Sequence, residues 1–365
     1  MGARILCVGA FPPPVHGMST VNLAVLERLR SNGAKVAVFD ISASTLSRDL
    51  ISRVRKFPRL VWVFLRFLVM CSLSMGASVY IGMSGGYGQI YNFFFVLIAR
   101  LFGCRLYLHH HSFAYLSSKK ILSGLIFWLA GSNCQHVVLC ACMGRSLRKC
   151  YGDGKRVLVV SNSAFVPSRV RTGMVVRPVV VFGFLGNICA EKGIFLFLDV
   201  LSRMFLSGRK FGAIVAGPFQ DETTEALVRA RLSELRFVQY VGPKYGVEKD
   251  AFYKSIDALI FPTRYANEAE PLIILEAMSH GVPVMSFDRG CISEMIPSGG
   301  GRLIVDSANA ETDMYDVLAF WHDEPEKLVE ASAVVFSNYY SMSVSGGRAF
   351  AELCEGLLGG DALQP

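Results

Sequence analysis

Two carboxylates, Glu268 and Glu276, bracket the point where the segment 261–276 changes character. A strand pattern ends near Phe261, a polar loop follows, and Pro271 stands where a helical pattern opens. Proline suits the first position of a helix, because the N–H it lacks would have no partner there. The N–H groups of Leu272 and Ile273 would then point out of the helix end. The peptide dipoles place partial positive charge at that end, so a phosphate binds there readily. Glu268 outside the helix and Glu276 about one and a half turns into it would be left to accept hydrogen bonds from hydroxyl groups. A capped amphipathic helix with two solvated acids fits the same pattern.

A second loop, 182–193, joins a buried strand pattern to a helix starting near Gly193. Lys192 sits at the helix entrance, where the dipole disfavours a cation. A lysine there makes sense if it meets an anion; a surface lysine beside a turn is the plain alternative. Gly186 lets backbone come close to a ligand. The first loop, 9–19, is stiffened by three prolines, with Gly17 before a helix and Ser19 as its cap. It is neither a dinucleotide fingerprint nor a Walker A loop, which argues against a nicotinamide dehydrogenase and an ATPase. His109, His110 and His111 follow a strand pattern, and adjacent residues on an extended chain alternate faces. A tri-histidine metal site is therefore not expected. One of the three could contact substrate, or bind phosphate when protonated; a hydrogen-bonded structural histidine is the alternative.

The elements that must position these loops alternate between strand and helix. In the first half, strand patterns cover 4–10, 35–41, 78–81, 105–109, 135–139 and 156–160, with a helix over 19–30. In the second half they cover 179–185, 212–216, 238–241, 258–261, 282–287 and 302–305. Helical patterns open there near Gly193, Glu222, Lys249, Pro271 and Cys291, and a last helix spans about 346–358. Such alternation implies α/β architecture: two doubly wound parallel sheets facing a central cleft, with ligands outside the carboxyl ends of the strands. The domains are expected at 1–165 and 178–340, joined by a linker at 166–177. Residues 341–365 form a closing helix and tail, expected to pack back toward the first domain.

The formal net charge of +8 conceals a division. Residues 1–177 hold 22 lysines and arginines against 4 acids, a balance of +18, and the remainder hold 15 against 25, a balance of −10. The basic half suits an anionic membrane surface or a phosphorylated substrate, or is a solvated face without a partner. Nucleic acid is not expected, since no zinc-finger, helix-turn-helix or RNA-recognition signature is present. The ten cysteines lack ordered spacing and read as small core residues in a reducing compartment. No signal peptide is expected at the N-terminus. The apolar stretches 60–81 and 93–102 are each broken by an arginine, Arg66 and Arg100. They read as buried helices, or as a surface dipping into one leaflet beside Arg53, Arg55, Lys56 and Arg59.

Taken together, the motifs resemble glycosyltransferase family 4. Glu268 and Glu276 followed by the run 277–284 (AMSHGVPV) carry the resemblance. So do Leu185-Gly186 with Glu191-Lys192-Gly193, Ala216-Gly217-Pro218, Tyr240-Val241-Gly242 and Gly290 with Glu294. Pro14-Val15-His16-Gly17, the histidines with Ser112-Phe113, and Ser161-Asn162 fit in the first half. The resemblance implies the GT-B fold and a retaining transferase that needs neither metal nor other cofactor. It implies that Lys192 holds the donor diphosphate, that Glu276 bonds the ribose, and that Glu268 binds the donor sugar near the reacting centre. Gly17 would let the first loop approach the phosphates, and Gly186, Leu272 and Ile273 would meet the donor through backbone. His110 would contact sugar or acceptor, with His16, His109 and His111 as alternative acceptor contacts. Many members carry arginine where this chain has Asn187, which would offer the donor diphosphate only neutral hydrogen bonds; Arg264 is the candidate to compensate.

The expected reaction moves a sugar from a nucleotide-diphosphate sugar to a saccharide acceptor, carried on a lipid diphosphate, in lipopolysaccharide, capsule or exopolysaccharide synthesis. The expected place is the cytoplasm, peripheral at the inner face of the cell membrane. The alternatives are a GT-B epimerase or phosphorylase, and a non-catalytic membrane-docking module.

Overall fold

The computed structural model describes residues 4–42, 50–169, 173 and 175–359. The chain divides into two compact units, 1–165 with 344–365, and 166–343. The linker expected over 166–177 and the terminal tail lie partly outside the described residues, as do the side chains of Arg53, Arg55 and Lys56.

In the first unit the strands are β1 (Arg4–Gly9), β2 (Lys35–Asp40), β3 (Ser78–Met83), β4 (Arg105–His110), β5 (Gln135–Val138) and β6 (Arg156–Val159). The helices between them are α1 (Gly17–Ser31), α2 (Leu50–Ser72), α3 (Gln89–Leu101), α4 (Ile121–Ala130) and α5 (Ala141–Tyr151). All pairings are parallel, in the order β2-β1-β3-β4-β5-β6. The inner strands are apolar along their length because helices cover both faces of a parallel sheet; all six residues of β3 are buried.

In the second unit the strands are β7 (Val181–Leu185), β8 (Gly212–Ala216), β9 (Val238–Tyr240), β10 (Ala258–Phe261), β11 (Val284–Phe287) and β12 (Gly301–Ile304). The helices are α6 (Ile194–Leu206), α7 (Glu222–Glu234), α8 (Gly246–Ser255), α9 (Leu272–Ser279), α10 (Ile292–Met295), α11 (Ala310–Asp323) and α12 (Glu326–Leu358). The parallel order is β12-β11-β10-β7-β8-β9. Side chains alternate between its faces. Phe182, Phe184 and Ile260 join one core with α6 and α11, while Leu185, Leu259 and Phe261 join another with α8 and α9. The chain reverses direction between β7 and β10, and the crevice at such a switch point is where doubly wound sheets bind ligands.

Every expected strand is present, and both sheets are doubly wound. Three helix expectations change most. The stretch 60–81 is the second half of α2, a turn and the start of β3. The helix expected from Cys291 is the single turn α10. The closing helix begins twenty residues earlier than expected, at Glu326. Its serines and its Gly346-Gly347 pair lower helix propensity. Packing overrides that: Leu328, Val335 and Tyr339 are buried in the second unit, and Leu353 and Leu357 in the first. Gly346 is needed there, because a Cβ would lie 2.7 Å from Ser163 Oγ.

Candidate active site

In the second unit, β7 and β10 lie side by side, and their loops leave the same sheet edge. Gly193 closes the first loop in the left-handed conformation (φ 85°) and packs so tightly that a Cβ would strike the Pro262 carbonyl. This closeness brings Lys192 to the second loop. Its ammonium forms an ion pair with Glu268 Oε2 and lies 4.9 Å above the Tyr265 ring and 5.1 Å above Phe261. Glu268 is nearly buried, and Thr263 Oγ1 donates to the same oxygen at 3.3 Å. A salt bridge withdrawn from water in this way is held by electrostatics stronger than at a surface.

Pro271 is the N-cap of α9 with extended backbone (ψ 122°), so the helix starts one residue later than expected, and among the described residues no side chain caps it. The amides of Leu272 and Ile273 form its first turn. On the next turn, Glu276 accepts from Lys249 Nζ at 2.7 Å and from Tyr253 Oη at 2.8 Å. Burial, and then the neighbouring Glu276, push the Tyr253 hydroxyl well above the usual tyrosine range, so it stays protonated as a donor. His280 Nδ1 lies 2.8 Å from the Glu276 carbonyl, and its ring stacks on Tyr253. Lys249 and Tyr253 were not singled out from sequence; both come from α8, whose start at Gly246 precedes the expected one.

Gly186 stands at the end of β7, and the side chain of Asn187 makes no hydrogen bond among the described residues. Arg264 lies on the loop after β10. Its amide bonds the Glu191 carbonyl at 2.7 Å, while its guanidinium turns to Asp306 at 2.8 Å and covers the Phe287 ring.

In the first unit, α1 begins at Gly17 and is capped by His16, not Ser19. The His16 ring accepts from the Ser19 amide, and Ser19 Oγ accepts from the His16 amide at 2.9 Å, a reciprocal box. At the end of β4 the histidines alternate as expected. His109 Nδ1 meets Tyr80 Oη at 2.7 Å, and Tyr80 in turn donates to Asn22 at 3.0 Å. His110 points the other way, with Nδ1 on Tyr115 Oη at 2.9 Å and Nε2 on His136 at 3.0 Å. Both its ring nitrogens are therefore engaged, one with Tyr115 and one with His136. The His109 and His111 rings lie 4.2 Å apart, and each leaves Nε2 buried and unpartnered. Burial holds His109 and His110 well below the ordinary histidine range and pushes His111 down to about 3.

Residues 179–323 match the family model of group 1 glycosyl transferases. The matched stretch lies within the second unit and spans β10, α9 and the loop that holds Lys192. Among curated proteins, the lipopolysaccharide core biosynthesis mannosyltransferase LpsB of Rhizobium meliloti is 30% identical over 159 residues, 41% of this chain and 44% of that protein. The alpha-D-kanosaminyltransferase of Streptomyces kanamyceticus is 26% identical over 189 residues, 49% of this chain and 46% of that protein. The chain thus matches under half the length of these relatives. Among solved structures, the Anabaena protein HepE in complex with UDP and glucose superposes with a TM-score of 0.70 at 13% identity, covering 97% of this chain and all of that one. The fold is GT-B.

The second unit holds Gly186, Asn187, Lys192, Arg264, Glu268, Leu272, Ile273 and Glu276, all on the loops after β7 and β10 or on α9. Of these the structure brings Lys192 directly onto Glu268, and leaves Glu276 in a separate network with α8.

Proposed function

We propose that the chain is a retaining glycosyltransferase of family 4. It moves a sugar from a nucleotide-diphosphate sugar to a saccharide acceptor borne on a lipid diphosphate, in the synthesis of a bacterial surface polysaccharide. The observation that carries this is the Lys192–Glu268 pair at the switch point, beside the uncapped start of α9. The donor diphosphate takes the place of Glu268 on Lys192 and accepts from the amides of Leu272 and Ile273. Glu268, so released, turns to hydroxyls of the donor sugar. Glu276, held by Lys249 and Tyr253, receives the ribose.

Negative charge grows on the diphosphate as the glycosidic bond breaks, and preorganised donors aimed at it lower the barrier. Lys192 and the helix end supply that positive charge with no metal or other cofactor. The acceptor hydroxyl attacks from the face the diphosphate leaves, so the anomeric configuration is kept. The first unit receives the acceptor, with Gly17 and His16 at the start of α1 and the free Nε2 atoms of His109 and His111 as its contacts. The name of the Rhizobium relative and the basic balance of the first half support an acceptor at an anionic lipid surface, on the cytoplasmic face of the cell membrane. The UDP in the HepE structure supports a nucleotide-sugar donor. Transfer from a panel of nucleotide sugars to lipid extract, with the product anomer read by NMR, tests the reading. Retained configuration is expected, and inversion would overturn the retaining mechanism.

A further inference from the structure

Three helices of the first unit present apolar side chains to solvent. Helices α2, α3 and α4 link β2 to β3, β3 to β4 and β4 to β5, all stepping the same way along the sheet. Right-handed crossovers then place all three on one face. They pack together there: Phe64 of α2 stacks on Phe95 of α3 at 4.4 Å, and Ser123 of α4 donates to Gln89 of α3 at 2.7 Å.

The outward side of this layer carries large apolar residues as well. On α2, Trp62, Leu65 and Val69 recur at helical spacing and are exposed, Trp62 by 66%. On α4, Ile121, Leu125 and Trp128 do the same, Trp128 by 75%. Ile90 and Phe94 are exposed on α3, between them. An apolar surface of this extent marks an interaction site.

The charge around it identifies the partner. Residues 50–152 contain twelve lysines and arginines and not one aspartate or glutamate. Lys119 and Lys120 are exposed and immediately precede Ile121, and Arg100 is exposed near the end of α3. A second copy would oppose one basic surface to another, which repulsion disfavours. An anionic lipid surface satisfies both features at once. Among the described residues no helix is long and apolar enough to cross a membrane. The helices suit the interface, where tryptophan rings sit at headgroup level and basic side chains reach lipid phosphates.

We propose that the α2–α3–α4 face seats on an anionic membrane, with Trp62 and Trp128 entering the headgroup region. This deepens the lipid-acceptor reading and rests on it for its biological sense. The chain has three tryptophans, and the third, Trp321, is buried in the second unit. Tryptophan emission of the full chain therefore reports this face directly, with neither donor nor acceptor present. Vesicles of phosphatidylglycerol and phosphatidylcholine at low salt are expected to shift the emission to the blue, and brominated acyl chains to quench it. Pure phosphatidylcholine vesicles, or high salt, are expected to leave it unchanged. Trp62→Ser with Trp128→Ser should lower vesicle co-sedimentation at least tenfold while sugar transfer to a soluble acceptor, read as released nucleoside diphosphate, persists. No shift with anionic vesicles would overturn the proposal. So would a shift that follows protein concentration without lipid, which would assign the face to a second copy. Vesicle binding without any donor turnover would instead leave this face standing and remove the transferase reading.

Discussion

Lys192 and Glu268, 76 residues apart in sequence, meet in an ion pair because β7 and β10 are neighbours in the sheet. Replacing Lys192 by alanine strands a nearly buried carboxylate, which costs roughly 1–3 kcal/mol. Adding Glu268→Gln removes the stranded charge and keeps a partner for Thr263, so the double variant should recover much of that loss. Activity should stay low in both, by about 10²–10³ in kcat/KM. Urea unfolding of the four proteins in the cycle checks this; additive stability losses would show that the pair is not coupled.

Tyr253 orients Glu276 through a hydrogen bond of 2.8 Å. Tyr253→Phe keeps the packing against His280 and removes the donor. Donor KM should rise roughly 10- to 150-fold, the worth of a hydrogen bond to a charged group, with kcat changed much less. A fall in kcat at constant KM would place Tyr253 in the chemical step instead.

The Arg264 guanidinium is held by Asp306 over the Phe287 ring. Arg264→Ala should therefore alter donor affinity by less than about threefold, against the larger loss at Lys192. Calorimetric titration with nucleoside diphosphates distinguishes the two. A loss at Arg264 equal to that at Lys192 would mean that the arginine leaves Asp306 when donor binds.

The buried histidines make stability depend on pH. Burial, and then neighbouring positive groups, push His111 and His136 from the ordinary 6.5 down to about 3. His109 and His110 are lowered as well, burial first. The unfolded chain binds protons that the folded chain refuses over this interval, so stability is full above about pH 6.5 and falls as pH drops toward about 3. Each unit of separation contributes roughly 1.4 kcal/mol per histidine. The urea midpoint measured from pH 8 to pH 4 should decline, and His136→Gln should shallow the decline. A midpoint independent of pH would contradict the neutral cluster.

Much of this architecture could be read from the residues. Parallel strands buried on both faces are near-continuous apolar runs, and all twelve expected strand stretches form strands. The helices were harder where packing outweighs propensity. The first turns of α12 bury Leu328, Ala331, Ser332, Val335 and Tyr339 at helical spacing, but Ala331 and Ser332 are small and give the stripe little apolar signal in the sequence. In the candidate site, loop chemistry pointed to Lys192, Glu268 and Glu276, but which of them pair depends on strand order. Lys249 and Tyr253 were silent because α8 becomes their support only in three dimensions. Alternation along β4 showed that the three histidines must divide between faces. It could not say that His110 would be the one facing Tyr115 and His136.

The most direct test is release of nucleoside diphosphate. The protein would be incubated with UDP-, GDP- and ADP-sugars and a bacterial lipid extract, and free diphosphate quantified. Release from one donor, dependent on lipid and lost in Glu268→Ala, is the expected result. No release from any donor, by a folded protein that also binds no nucleoside diphosphate, would contradict the assignment of the β7 and β10 loops as a donor site.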